Sequence, residues 1–141
     1  MKKCFSALFI ATALLISCCQ FAIASDIQPY ASEYLSAYTV ALAPGDNSGE
    51  VRLAFSVLAT GKMTQLGISK VEIYKSNGSY VTTIYSNSAN KMLGYSTEHH
   101  NGNYVYSGVS GTSYYAKVTV YAKDSTGSDS RVVTTATAKA P

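Results

Sequence analysis

After residue 19 the chain has no cysteine. Its three cysteines, Cys4, Cys18 and Cys19, all fall in the N-terminal stretch. A domain built from the remainder forms no disulfide, offers no thiol nucleophile and binds no metal through thiolate. Packing and hydrogen bonds must hold it. Charge is scarce as well: Asp, Glu, Lys and Arg are 13% of the residues, about half the ~25% usual in soluble domains. Eleven Lys and Arg stand against eight Asp and Glu, and two of the eleven are Lys2 and Lys3, which leaves nine against eight. With no basic stripe to neutralise phosphates, a nucleic-acid partner is not expected. Tryptophan is missing, and no internal repeat, low-complexity tail or long amphipathic helix is visible. Polarity comes from Ser, Thr, Asn and Gly, together with twelve Tyr, all after residue 24.

The first residues read as an address label. Lys2 and Lys3 precede the apolar run Phe5–Ile16, and Ala22-Ile23-Ala24 before Ser25-Asp26 has the small-x-small form of a signal-peptidase site. The run is short for a membrane span and has no basic stop-transfer flank. Residues 1–24 are therefore expected to be a signal peptide and the product to be secreted and extracellular. A rival is the lipobox-like Leu15-Ile16-Ser17-Cys18, which would acylate Cys18 and make a cell-surface lipoprotein. Cleavage after Ala24 leaves 117 residues (141 less 24), enough for one domain with a core. Residues 25–33 read as a leader and 34–141 as the domain.

The domain is organised around Gly111–Ala138. Tyr114, Ala116, Val118, Val120 and Ala122 alternate with Tyr115, Lys117, Thr119, Tyr121 and Lys123. That period of two is the mark of a half-buried strand. Asp124–Ser130 is rich in turn formers, with Gly127 expected at positive φ. β-branched Arg131–Ala138 returns, completing a hairpin. Earlier, Tyr34–Leu42 reads as an edge-like strand. Val51, Leu53, Phe55, Val57 and Ala59 form a second inward row. Gly61–Ser69 reads as a connection whose Met63, Leu66 and Ile68 plug the core. Lys70–Lys75 and Tyr80–Ser86 flank Asn77-Gly78, a strong hairpin signal. Asn87–Gly102 reads as a long polar connection, and Asn103–Val109 as a short strand.

Seven short strands with frequent turns predict an all-β domain, an immunoglobulin-like β-sandwich of antiparallel strands or, alternatively, a small β-barrel. Gly111-Thr112-Ser113-Tyr114, followed by Ala116, Val118 and Val120, resembles the corresponding run of fibronectin type III domains. The resemblance implies that Tyr114 forms a corner, its hydroxyl hydrogen-bonded to upstream backbone. The chain also resembles an uncharacterised family of small secreted proteins from Gram-positive bacteria. It does so through Ala59-Thr-Gly-Lys-Met-Thr-Gln-Leu-Gly-Ile-Ser-Lys-Val-Glu-Ile-Tyr74 and through Ser113–Arg131. That family implies secretion and a β fold and supplies no catalytic residue.

Chemistry is hard to find. His99 and His100 are adjacent, so in an extended chain their rings point apart and cannot converge on one ion. No Ser sits in a Gly-x-Ser-x-Gly elbow, although Gly108–Thr112 comes within one residue of that spacing. Paired carboxylates for glycoside hydrolysis would have to come from eight acids, mostly in turns. Asp124 and Asp129 flank one loop that has some calcium-ligand character, but turn chemistry explains it equally. No catalytic residue, cofactor or metal ligand is therefore assigned. Tyr74, Tyr115 and Tyr121 fall on outward phases and are the candidate ligand-binding residues, with Tyr104 and Tyr106 as further candidates. The expected function is a non-catalytic extracellular module that binds a glycan or a protein, or is structural. The alternative is a small secreted hydrolase with an unrecognised site. Mass spectrometry of the exported chain should find Ser25 at its N-terminus; a diacylated Cys18 there would replace secretion by lipid anchoring.

Overall fold

The inward row beginning at Val51 opens a strand that does not stop where glycines and polar residues suggest. In the computed structural model, which describes residues 32–141, seven antiparallel strands and no helix are found. In chain order they are β1 (Leu35–Pro44), β2 (Glu50–Lys75), β3 (Tyr80–Tyr85), β4 (Leu93–Ser107), β5 (Ser113–Lys123), β6 (Ser128–Thr134) and β7 (Ala138–Lys139). The expected signal peptide, the cysteines and most of the expected leader lie outside the described residues.

β2 is 26 residues long, which at the usual rise would be roughly 85 Å if straight. It bends instead. Its first half lies between β1 and β4, and its second half between β5 and β3. The pairing with β4 slips between Leu58 and Met63, and that with β5 between Ile68 and Lys70. β6 extends the sheet beyond β5, and β7 pairs with the start of β5. The result is one hydrogen-bonded sheet, curled into a half-barrel. Of the two arrangements open from the sequence, the curled sheet is the nearer to the barrel.

The curl follows from the apolar rows. Val51, Leu53, Phe55, Val57 and Ala59 on the first half of β2 are buried, as are Leu66, Ile68, Val71 and Ile73 on the second half. Tyr114, Ala116, Val118, Val120 and Ala122 of β5 join them in one core cluster. A flat sheet would leave these rows facing water. Each fully buried aliphatic side chain contributes about 1.5–3 kcal/mol relative to exposure, so bending is strongly favoured. The bend also packs β1 across the curl against β5 and β7.

Several local expectations are corrected. Gly61–Ser69 is not a connection but the middle of β2, and its Met63, Leu66 and Ile68 are buried. Gly67 sits at φ 140° within that strand. The ring of His100 and the carbonyl of Met92 close over its Cα, and Ile68 N–H donates to Met92 O at 2.8 Å. A side chain there would meet both. Asn87–Gly102 is a turn only as far as buried Met92; from Leu93 it is strand, continuous with the expected Asn103–Val109. Arg131–Ala138 divides into β6 and β7. Gly127 does not adopt positive φ; its smallness instead makes room for Tyr34, whose hydroxyl would lie 2.5 Å from an added Cβ.

Tyr114 closes one end of the core. Its ring is buried, and Val109 N–H donates to its hydroxyl at 2.9 Å. Tyr106 meets the ring edge-on at 5.7 Å between centroids. Gly108 permits the approach, since an added Cβ would lie 2.6 Å from the hydroxyl. Tyr114→Phe removes the acceptor of the Val109 N–H and should destabilise by roughly 1–2 kcal/mol. Tyr115→Phe, with its ring on the outer face, should be nearly silent. Urea unfolding of the two variants checks this, and equal effects would reverse the assignment of faces.

Candidate functional site

Residues directly opposite in an antiparallel pair share a face. On the second half of β2, Tyr74 pairs with Tyr115, Glu72 with Lys117 and Lys70 with Thr119. Because Val71 and Ile73 point inward, all of these point outward. The rings of Tyr74 and Tyr115 stack at 5.2 Å with 11° between planes. Tyr80, opposite Tyr74 on β3, meets it edge-on at 5.7 Å. Lys117 Nζ lies 5.1 Å from the centre of the Tyr74 ring, within cation–π range. Tyr74 is therefore enclosed by three neighbours and mainly supports the face. Tyr80, 59% exposed, and Tyr85, 66% exposed, present far more surface. Tyr121 stands three pairs further along β5, opposite Gly67 and Ser130, half-buried and apart from the cluster.

Tyr104 and Tyr106 are corrected to the inner phase: they pack against the core from β4. Burial raises the Tyr106 pKa, helped by the neighbouring Tyr114 and Tyr104.

The histidines do point apart. His99 reaches the outer face, where its Nε2 lies 3.1 Å from Ser56 Oγ. His100 turns inward, its Nε2 3.0 Å from Lys91 O and its ring 5.6 Å from Phe55. Ser56, His99 and Glu98 line an open groove of about 450 Å³ whose other walls are Ala37, Tyr38, Thr39 and Leu58. The slip in β4 pairing next to Thr97 turns Glu98 to the same side as His99. A hydroxyl within hydrogen-bond reach of an imidazole is the first element of a nucleophile–base pair. Ser56, however, lies in a strand flanked on both sides, by Thr39 and Asn101. Its neighbouring backbone N–H groups face the sheet ladder, whereas an oxyanion needs donors aimed into the groove.

Comparison with protein-family models, with characterised proteins and with solved structures finds no match. The geometry alone thus carries the functional reading.

At the Asp124–Asp129 loop the carboxylates are engaged by protein donors. Asp124 Oδ1 accepts from Thr126 N–H at 2.6 Å, Thr126 Oγ1 at 2.7 Å and Gly127 N–H at 3.0 Å. Asp129 accepts from Ser32, Arg131 and Ser130. Ser32 in turn accepts from the N–H groups of Tyr34 and Leu35, which clips the start of β1 to β6. Among the described residues no group of three His, Cys, Asp or Glu is placed to hold a metal ion.

Ser56, Leu58, Tyr80 and Lys117 carry no functional signal in the sequence, whereas Glu98 stands out there only as the acid before the histidine pair. No local motif marks Ser56, because its partner His99 is 43 positions away. The phase of Tyr80 is hidden by the irregularity between Ile73 and Tyr74.

Hydrogen bonds from Thr126 lower the Asp124 pKa. Burial pushes Asp129 upward, but the Ser32 hydrogen bond, the Arg131 charge and the Ser130 N–H outweigh it, and the net shift is downward. A lowered folded pKa means that the ionised form is favoured by folding. The stability this contributes is complete above the ordinary Asp value of about 4 and is lost as pH falls through the lower folded value. Asp129→Asn should accordingly flatten the acid limb of a stability–pH curve below about pH 4, read by urea unfolding at a series of pH values. An unchanged limb would remove Asp129 from that account.

Proposed function

We propose that the chain is a non-catalytic extracellular module, acting at or near a bacterial cell surface, that binds a glycan or protein partner through the outer face of β2, β3 and β5. The observation that carries this is the gathering of Tyr74, Tyr80 and Tyr115 into one ring cluster on a face that, among the described residues, no other strand covers, with Tyr80 more than half exposed. Tyrosine presents an apolar ring and a polar tip at small cost in side-chain entropy, and aromatic anchors carry much of the energy of contact surfaces. The resemblance to small secreted proteins and the signal-like N-terminus accord with an extracellular setting.

A second reading, a small hydrolase, is favoured by the Ser56–His99 contact in the groove that Glu98 also lines. The two readings separate in one set of variants. For a ligand identified on a glycan and protein array, Tyr115→Ala or Tyr121→Ala should cost more than about 1 kcal/mol of affinity, the scale of an interface anchor. The pair His99→Ala with His100→Ala, and Ser56→Ala, should cost little. Binding lost with the histidines or Ser56 and retained with the tyrosines would move the site to the groove and favour the hydrolase.

A further inference from the structure

The outer row of β5 runs Tyr115, Lys117, Thr119, Tyr121, Lys123, so aromatic and cationic side chains recur along one line. Alternate residues of a strand are about 6.7 Å apart, which makes this row about 27 Å long. The adjoining row of β2 contributes Tyr74, Glu72 and Lys70. Glu72 is the one acid in these two rows, and Lys70 pairs with it at 3.4 Å. The acids at the end of the row are held elsewhere, Asp124 within its own turn and Asp129 by Ser32 and Arg131. On the first half of β2 the outward residues Ala54, Ser56 and Leu58 carry no charge, and Arg52 is paired with Asp46. After residue 24 nine Lys and Arg stand against eight Asp and Glu, yet Lys117 and Lys123 place two cations on one outer row.

The rings narrow the choice of polyanion. Tyr74 and Tyr115 stack on each other, and Lys117 lies over Tyr74. The Tyr74 ring is covered by Tyr115 and Lys117, and one face of Tyr115 is taken by Tyr74, whereas binding of single-stranded nucleic acid uses free ring faces for base stacking. Beside the remaining ring surface, the row offers hydroxyls and ammonium groups. These suit a polymer rich in hydroxyl and carboxylate and poor in flat rings.

We infer that this row binds a linear acidic polysaccharide of the polyuronate type, laid along β5. Its carboxylates face Lys117 and Lys123, and its hydroxyls meet Tyr115 and Tyr121. The inference rests on the reading of this face as the binding surface and adds the class of ligand.

Affinity electrophoresis of the purified chain through gels containing polygalacturonate, neutral dextran or single-stranded DNA tests it. Polygalacturonate should retard the chain and dextran should not. The apparent affinity should fall at least tenfold between 50 and 500 mM NaCl, because exposed ionic contacts are screened. Lys117→Gln with Lys123→Gln should weaken retardation at least tenfold, while Lys91→Gln, in the turn between β3 and β4, should leave it unchanged. Lys123→Gln alone, at an exposed position, gives a second test should the change under Tyr74 impair folding; it should weaken retardation severalfold. Absence of retardation, insensitivity to the Lys117 and Lys123 changes, or tighter retention by DNA overturns the inference. Equal retardation by dextran that Tyr115→Ala abolishes overturns it too, yet retains the face as a binding surface. Lysine-dependent retardation by polygalacturonate that Tyr115→Ala and Tyr121→Ala leave intact sustains the acidic ligand and refutes the tyrosine anchors.

Discussion

The structure depends on the bend of β2. One strand pairs with β1, β4, β5 and β3 in turn, so every other main strand except β6 and β7 takes its position from it. Its inward residues are apolar in both halves, and they can leave water together only if the halves turn toward one another. The bend is accommodated where pairing slips, near Leu58–Met63 and Ile68–Lys70, and where Gly67 admits the His100 ring. Bulges and glycines are the usual means by which a sheet acquires curvature.

That geometry gives the two outer faces different characters. The first half presents small residues, a shallow groove and the Ser56–His99 contact. The second half presents stacked tyrosines with lysines. Each face is a direct consequence of period-two alternation: once the inner row is fixed by burial, the outer row is fixed as well. The tyrosines also stabilise the sheet through cross-strand contact. Support and binding are compatible roles, since Tyr74 is enclosed while Tyr80 remains open.

The two ends of the described residues are tied by hydrogen bonds. Ser32 joins β1 to β6 through Asp129. At the other end, Gly49 N–H donates to Pro141 O at 2.7 Å, and Gly111 N–H to Ala140 O at 2.9 Å. Ala138 and Ala140 are buried. Among the described residues β4 pairs with β2 alone, so one flank of a 15-residue strand is left as a sheet edge. Such edges are where sheets can add strands, but the tyrosine face is distinguished by both chemistry and charge.

The sequence by itself determined the all-β class, the inward row from Val51 to Ala59, the Asn77-Gly78 hairpin, the alternation of β5 and the divergence of His99 from His100. These are local properties, decided by side-chain period and turn chemistry within about ten residues. Tertiary structure alone decided that Gly61–Ser69 and Leu93–Gly102 are strand, because their backbone groups are satisfied by segments far away in sequence. It also decided that Tyr104 and Tyr106 face inward, that Ser56 meets His99, and that Lys117 lies over Tyr74. Partners and bends are chosen by the burial of the whole apolar set, and no short window of sequence contains that information.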